Sequence, residues 1–207
     1  DGGFLYAAGS ASDTVAVFAV SPSDGSLSYV EHETNQVDDP DDSGPPVSFM
    51  DRPIDLQVAP DGSAVYVVGD YSSSLTVFER NGTDGSLVFK ESFKSGINGV
   101  ENLGGAASLW ATADNQYVYI AGRADNTVAR FLVSGPAQLS YAGASTKANA
   151  DFIGLEAPTA IMGNDDDSRL YALGFDDSSM VSFNRTIVDG ELDFADIEQD
   201  DIKDVTH

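Results

Sequence analysis

Short runs of alternating apolar and small or polar residues recur along this chain, and they recur in phase. Leu5-Tyr6-Ala7-Ala8-Gly9 returns as Val65-Tyr66-Val67-Val68-Gly69, as Val118-Tyr119-Ile120-Ala121-Gly122 and as Leu170-Tyr171-Ala172-Leu173-Gly174, with the glycines 60, 53 and 52 residues apart. A second run ends at Phe18, Phe78, Phe131 and Phe183, at the same three spacings. A third is centred on Leu27, Leu87, Leu139 and Leu192. Alternation of period two over runs this short predicts strands, and three markers keeping step predict a repeated unit.

One more run precedes the second, third and fourth motifs, in Pro53 to Gly62, Ala106 to Asn115 and Pro158 to Asp167. Each carries an Asp four residues ahead of its apolar-Tyr pair, at Asp61, Asp114 and Asp166, where an Asp-Gly or Asp-Asn pair supplies a tight hairpin turn. The unit is therefore four short strands in about fifty residues, the period of a propeller blade. The predicted fold is all-β, a β-propeller of four-stranded antiparallel blades forming a single segment over residues 1–207. Blade 1 spans about 3–35 and lacks its innermost strand, an acidic insertion covers 36–50, and blades 2, 3 and 4 span about 53–96, 106–148 and 158–199, ahead of a tail at 200–207. The phase puts the next innermost strand near position 210, past His207. The expectation is part of a larger ring of seven or eight blades, completed by the remainder of a longer propeller or by a second copy, because open blade edges and faces are a liability.

Composition agrees with this reading. Helical periodicity is weak and Gly and Ser are dense between the runs, so little or no helix is expected. No window approaches the roughly 20 apolar residues of a membrane span. Without cysteine there is no disulfide, no thiolate metal site and no cysteine nucleophile. The chain starts at Asp1 with no basic and apolar leader. The sequons at Asn81 and Asn184 are short enough to arise by chance.

Thirty-four acidic residues against ten basic give a net charge of −24, carried largely by Asp in loops. Such a surface repels nucleic acid and anionic lipid and excludes both as partners. It suits a salty medium, which points to an extracellular, periplasmic or cell-surface setting. Dense carboxylates can also hold calcium. Asp39, Asp41 and Ser43 lie in Asp39-Pro40-Asp41-Asp42-Ser43-Gly44, which matches the opening of a calcium loop. Its twelfth position is Met50 rather than Glu, so the expectation is a weakly bound ion, with no cofactor required. A second acidic knot, Asn164 to Asp167, has no glycine to fold around an ion.

The stretches Pro53 to Phe89 and Gln116 to Val133, with the turns Ser23-Asp24-Gly25-Ser26-Leu27, Thr83-Asp84-Gly85-Ser86-Leu87 and Val188-Asp189-Gly190-Glu191-Leu192, resemble the YVTN and lactonase-type (6-phosphogluconolactonase-like) β-propeller repeats. The resemblance covers nearly the whole chain. It implies a propeller, and it implies lactone opening by His, Arg and Glu around the central channel. The innermost strands, at 54–58, 107–111 and 159–162, contain neither His nor Arg. His32 stands between Glu31 and Glu33 in an outermost strand, and His207 is the last residue. No family catalytic residue carries over. The repeated tyrosines read as packing residues between blades, while Asp55, Gln57 and Trp110 are the candidate ligand residues of the channel. The resulting expectation is a non-catalytic extracellular module that binds a protein or small-molecule ligand or builds a surface assembly. The alternative is a lactonase-like hydrolase whose catalytic residues lie in missing blades.

Overall fold

A computed structural model describes residues 2–36, 45–146 and 154–199, and every regular element in them is a β-strand. A three-stranded sheet holds β1 (Phe4–Gly9), β2 (Thr14–Val20) and β3 (Leu27–Thr34). Three four-stranded sheets follow: β4 (Pro53–Val58), β5 (Ala64–Gly69), β6 (Ser74–Arg80) and β7 (Leu87–Lys94); β8 (Ala106–Ala111), β9 (Tyr117–Gly122), β10 (Thr127–Gly135) and β11 (Gln138–Thr146); β12 (Pro158–Gly163), β13 (Arg169–Gly174), β14 (Ser179–Arg185) and β15 (Leu192–Gln199). Each is an antiparallel meander in chain order, and the sheets are the blades of a partial β-propeller whose first blade holds three strands among the described residues.

Period-two alternation packs the blades. In β5, Val65 and Val67 face blade 1 with Phe78, Leu87 and Phe89, meeting Val15 and Val17. Their neighbours Tyr66 and Val68 face blade 3, joining Leu109, Ile120 and Phe131. Tyr119 and Val128 then pack with Leu170, Val181 and Phe183 of blade 4. The middle strands β5 and β9 bury both faces, so these blades depend on their neighbours.

The two ends of the stack break this rule. Leu5, Leu27 and Tyr29 of blade 1 are 41%, 51% and 59% exposed, whereas their blade 2 equivalents Val65, Leu87 and Phe89 are buried. On blade 4, Leu173 and Met180 form an exposed cross-strand pair, where Val68 and Leu75 of blade 2 are buried under blade 3.

The recurrent acids build the turns. The carboxylates of Asp24, Asp61, Asp84, Asp114, Asp166 and Asp189 each accept the backbone N–H two residues on, at 2.9–3.1 Å. These are Asx-turns, and the following residue enters the left-handed region, with φ of 74° at Gly62, 55° at Asn115 and 58° at Asp167. Hydrogen bonds hold the carboxyls of Asp24, Asp84 and Asp166 below the usual carboxylate range, chiefly from Ser21, Ser86 and Ser168 respectively. A lowered folded pKa gives stability that is complete above the unfolded carboxylate value of about 4 and is lost as pH falls through the folded value. The melting temperature is therefore expected to drop between pH 5 and pH 3, and to drop less when Asp24, Asp84 and Asp166 are all changed to Asn. Asparagine keeps the turn acceptor but has no proton to bind. An equal drop in both proteins would contradict the account.

Candidate functional site

The innermost strands β4, β8 and β12 lie side by side. Their edges present backbone N–H groups that no strand pairs, and side chains of the preceding blade take them up. Asp55 Oδ2 accepts the Leu109 N–H and the Ser108 hydroxyl, both at 3.0 Å, and Gln57 Oε1 accepts the Ala111 N–H at 2.8 Å. Ser108 repeats the role of Asp55 one blade on, accepting the Ile161 N–H at 3.4 Å. Trp110, the counterpart of Gln57, stacks on Tyr119 with ring centroids 5.6 Å apart and covers Gly163, where an added Cβ would lie 1.8 Å from Cζ2. Asp55, Gln57 and Trp110 are thus all engaged in joining blades. Changing Asp55 to Ala strands a main-chain donor and is expected to cost about 1–2 kcal/mol in denaturant unfolding. Asp39, Asp41 and Ser43 lie outside the described residues; among those described, no group of three His, Cys, Asp or Glu side chains is placed to hold a metal ion. In the second acidic knot, Asp167 accepts the Ala113 and Asp114 N–H groups at 2.8 and 2.7 Å, so this acid braces the neighbouring blade.

The end of the channel where the innermost strands begin has a different chemistry. After each motif glycine the chain makes a turn whose last residue is left-handed: Asp13, Ser73 and Asn126, with φ of 55°, 52° and 58°. Their side chains cross to the next blade and accept the N–H of Arg52 at 2.7 Å, Gly105 at 3.1 Å and Ala157 at 2.8 Å. This fixes each innermost strand's entry against the preceding blade's turn, and it brings three charged side chains together. Asp70, which directly follows Gly69, has a buried carboxylate. Arg52 Nη1 reaches its Oδ2 at 3.3 Å and Arg123 Nη2 its Oδ1 at 3.2 Å. Both guanidinium side chains are about half exposed, at 43% and 47%. Arg52 also lies over the exposed Tyr71 ring, 4.7 Å from its centroid. Beside Arg123 opens a cleft of about 420 Å³ lined by Ala157, Thr159, Phe175 and Asp176.

Reading along the innermost strands alone misses this cluster. Arg52 stands one place before β4, and Arg123 one place after β9. The position after the motif glycine reads Ser10, Asp70, Arg123 and Phe175, a chemical change at each repeat beside an invariant residue. That variation was the available signal. The opposite end of the blades is structural: Arg185 meets Asp114 at 2.8 Å, Tyr119 donates to the Gly190 carbonyl at 2.6 Å, and Tyr6 donates to the Gly85 carbonyl at 2.9 Å. Burial pushes the Tyr66 and Tyr119 hydroxyls up to about 12, so both stay protonated.

The sequence model of the family described as Lactonase, 7-bladed β-propeller matches residues 51–204. The chain belongs to this lactonase family. Among solved structures it is similar to a candidate 6-phosphogluconolactonase from Bacteroides uniformis, with 18% identity and a TM-score of 0.73, over 95% of this chain and 54% of that one. It is similar to the periplasmic gluconolactonase of Pseudomonas aeruginosa at 20% identity and a TM-score of 0.71, over 94% of this chain and 50% of that one. It is also similar to hydrazine synthase of Kuenenia stuttgartiensis, at 14% identity and a TM-score of 0.64, over 96% and 46%. The chain spans about half the length of the two lactonase-type structures. At these identities the likeness is one of fold, and one propeller serves unrelated chemistries. Among curated proteins, none matches the chain.

Proposed function

We propose that this chain is the acid-binding part of a lactonase-type propeller, taking a small carboxylate-bearing ligand, or the lactone derived from it, at the mouth of the central channel. The observation that carries the reading is the convergence of Arg52 and Arg123, from two blades, on the single buried carboxylate of Asp70. A guanidinium has five donors in a planar fork, and Asp70 orients both forks while leaving each half exposed. The pairing fits carboxylate recognition, and it gives a strongly acidic chain one place where an acid is welcome.

Ring opening needs a proton-transfer group, and the described blades supply no histidine to this mouth. His32 lies on the outer strand β3, with its Nδ1 2.5 Å from the Tyr29 hydroxyl. The segment binds without turning over, and any hydrolytic groups sit on further blades. The exposed faces of blades 1 and 4 support such blades, because their residues occupy positions that are buried wherever a neighbour is present. An exported setting fits the net charge of −24.

The test is equilibrium binding of D-gluconate to the wild-type chain and to Arg52→Ala and Arg123→Ala. Each variant is expected to lose about tenfold or more, the worth of a charge-assisted hydrogen bond. Unchanged affinity in both would overturn the assignment. Turnover of a lactone by the chain itself would overturn the non-catalytic part.

A further inference from the structure

We infer that the free faces of blades 1 and 4 join two copies of this chain head to tail, whatever the channel mouth binds. Blade 4 of each copy docks on blade 1 of the other, and the pair closes one ring.

The junctions inside the chain define what a blade offers the next. Between blades 1 and 2, the Tyr6 hydroxyl donates to the Gly85 carbonyl at 2.9 Å while the Phe4 ring covers Gly85. Arg80 of blade 2 donates its Nε–H to the Tyr6 hydroxyl at 2.7 Å and lies 5.5 Å from the Phe4 ring centroid. Between blades 3 and 4 the parts recur: Tyr119 donates to the Gly190 carbonyl, Tyr117 covers Gly190, and Arg185 lies 5.2 Å from the Tyr117 ring centroid. In both, an arginine of the later blade rests on an aromatic ring of the earlier one.

The free faces carry these parts with two of them exchanged. Blade 4 has Tyr171 in the tyrosine position, but an exposed Arg169 where Phe4 and Tyr117 stand. Blade 1 has Val20 where Arg80 and Arg185 stand, each paired with the leucine of its outermost strand. The arginine has moved across the junction, so blade 4 on blade 1 brings no two arginines together. Blade 1 also holds the receiving turn. Gly25 follows Asp24 with φ of 73°, as Gly85 follows Asp84 at 79° and Gly190 follows Asp189 at 68°. A Cβ at Gly25 would meet open space, whereas at Gly85 and Gly190 it would meet an aromatic ring. Docking in the geometry of the inner junctions gives Tyr171 the Gly25 carbonyl as acceptor and sets Arg169 beside the exposed Asp24 carboxylate.

The apolar residues fit the same placement. Leu173 and Met180 hold the positions of Val68 and Leu75, and Leu5 and Leu27 those of Val65 and Leu87, all of them buried at inner junctions. The contact therefore continues an interface the molecule already uses. Because it runs head to tail, it leaves a free face at each end until it closes, and four blades from each copy close at eight, within the range of known rings. The net charge of −24 per chain opposes the approach, and salt removes that opposition: at 1 M the Debye length is about 3 Å, while a partly buried pair is screened much less.

The test is sedimentation equilibrium of the 207-residue chain in 1 M NaCl. The expected mass is that of two chains, 2 × 21.8 = 43.6 kDa. Arg169→Glu and Asp24→Lys each place like charges at both contacts and are expected to weaken the pair about tenfold or more, with amide NMR spectra of a folded chain. An equimolar mixture of the two variants is expected to pair again, because both contacts then bring opposite charges together. Tyr171→Phe, which removes only a hydroxyl, is expected to weaken the pair about fivefold. A mass of 21.8 kDa at every concentration would overturn the inference. So would a pair indifferent to all three substitutions, or a mixture no tighter than its components, since the copies would then meet elsewhere. A ladder of larger species would overturn closure into a ring of two.

Discussion

Replacing Asp114 by Ala is expected to destabilise the protein by about 3 kcal/mol, or roughly 6–12 °C in melting temperature for a chain of this size. Arg185, its partner from the next blade, has a fully buried side chain. That guanidinium donates to Asp114 at 2.8 Å and to the Asp167 carbonyl at 3.2 Å, lies over the Tyr117 ring, and has its Nε without a partner. Removing the carboxylate leaves a buried charge with no counter-ion. It also removes the acceptor of the Asx-turn, which takes the Gln116 N–H at 3.0 Å and the Thr112 hydroxyl at 2.5 Å. The converse change, Arg185→Met, is expected to cost less, because Asp114 is 27% exposed and water can solvate it. Urea unfolding of both variants checks the asymmetry. Equal costs would show that the desolvated charge is not what holds blades 3 and 4 together.

The second large effect is predicted at Gly163. Blade 2 meets blade 3 through Gln57 and the Ala111 N–H, whereas blade 3 meets blade 4 through Trp110 lying over Gly163. These are two solutions at one repeat position. An alanine Cβ at Gly163 would fall within 2.3 Å of three indole atoms, so Gly163→Ala is expected to cost about 2–3 kcal/mol by overpacking. In a Trp110→Gln background the same change recreates the Gln57 and Ala111 pair, and its cost is expected to fall below about 1 kcal/mol. A cost that stays the same in both backgrounds would mean that the indole is not the obstacle.

The strands and their grouping into blades were legible because they follow from local periodicity and turn chemistry. A tyrosine at the same place in each repeat, and an Asp four residues before its apolar partner, determine which face is buried and where the chain reverses. The site was less legible because it depends on how one blade is rotated against the next. Nothing in a period of about fifty residues says that Arg52 and Arg123, 71 positions apart, share one carboxylate. The same holds for Asp55: a polar residue on an innermost strand suggests a channel ligand, yet the unpaired edge of β8 lies nearer and claims both the carboxylate and its strand neighbour Gln57. The acids are a third case. Six of them are spent on Asx-turns, so the density of Asp reflects turn chemistry as well as a solvated surface.

The most direct test of the central claim is a crystal structure of the chain soaked in D-gluconate. The account predicts the ligand carboxylate within hydrogen-bond distance of Arg123 or Arg52, with its carbon chain against Phe175. A ligand seated instead at the opposite end of the blades, in the cleft bounded by Phe4, Tyr6 and Val58, would contradict it.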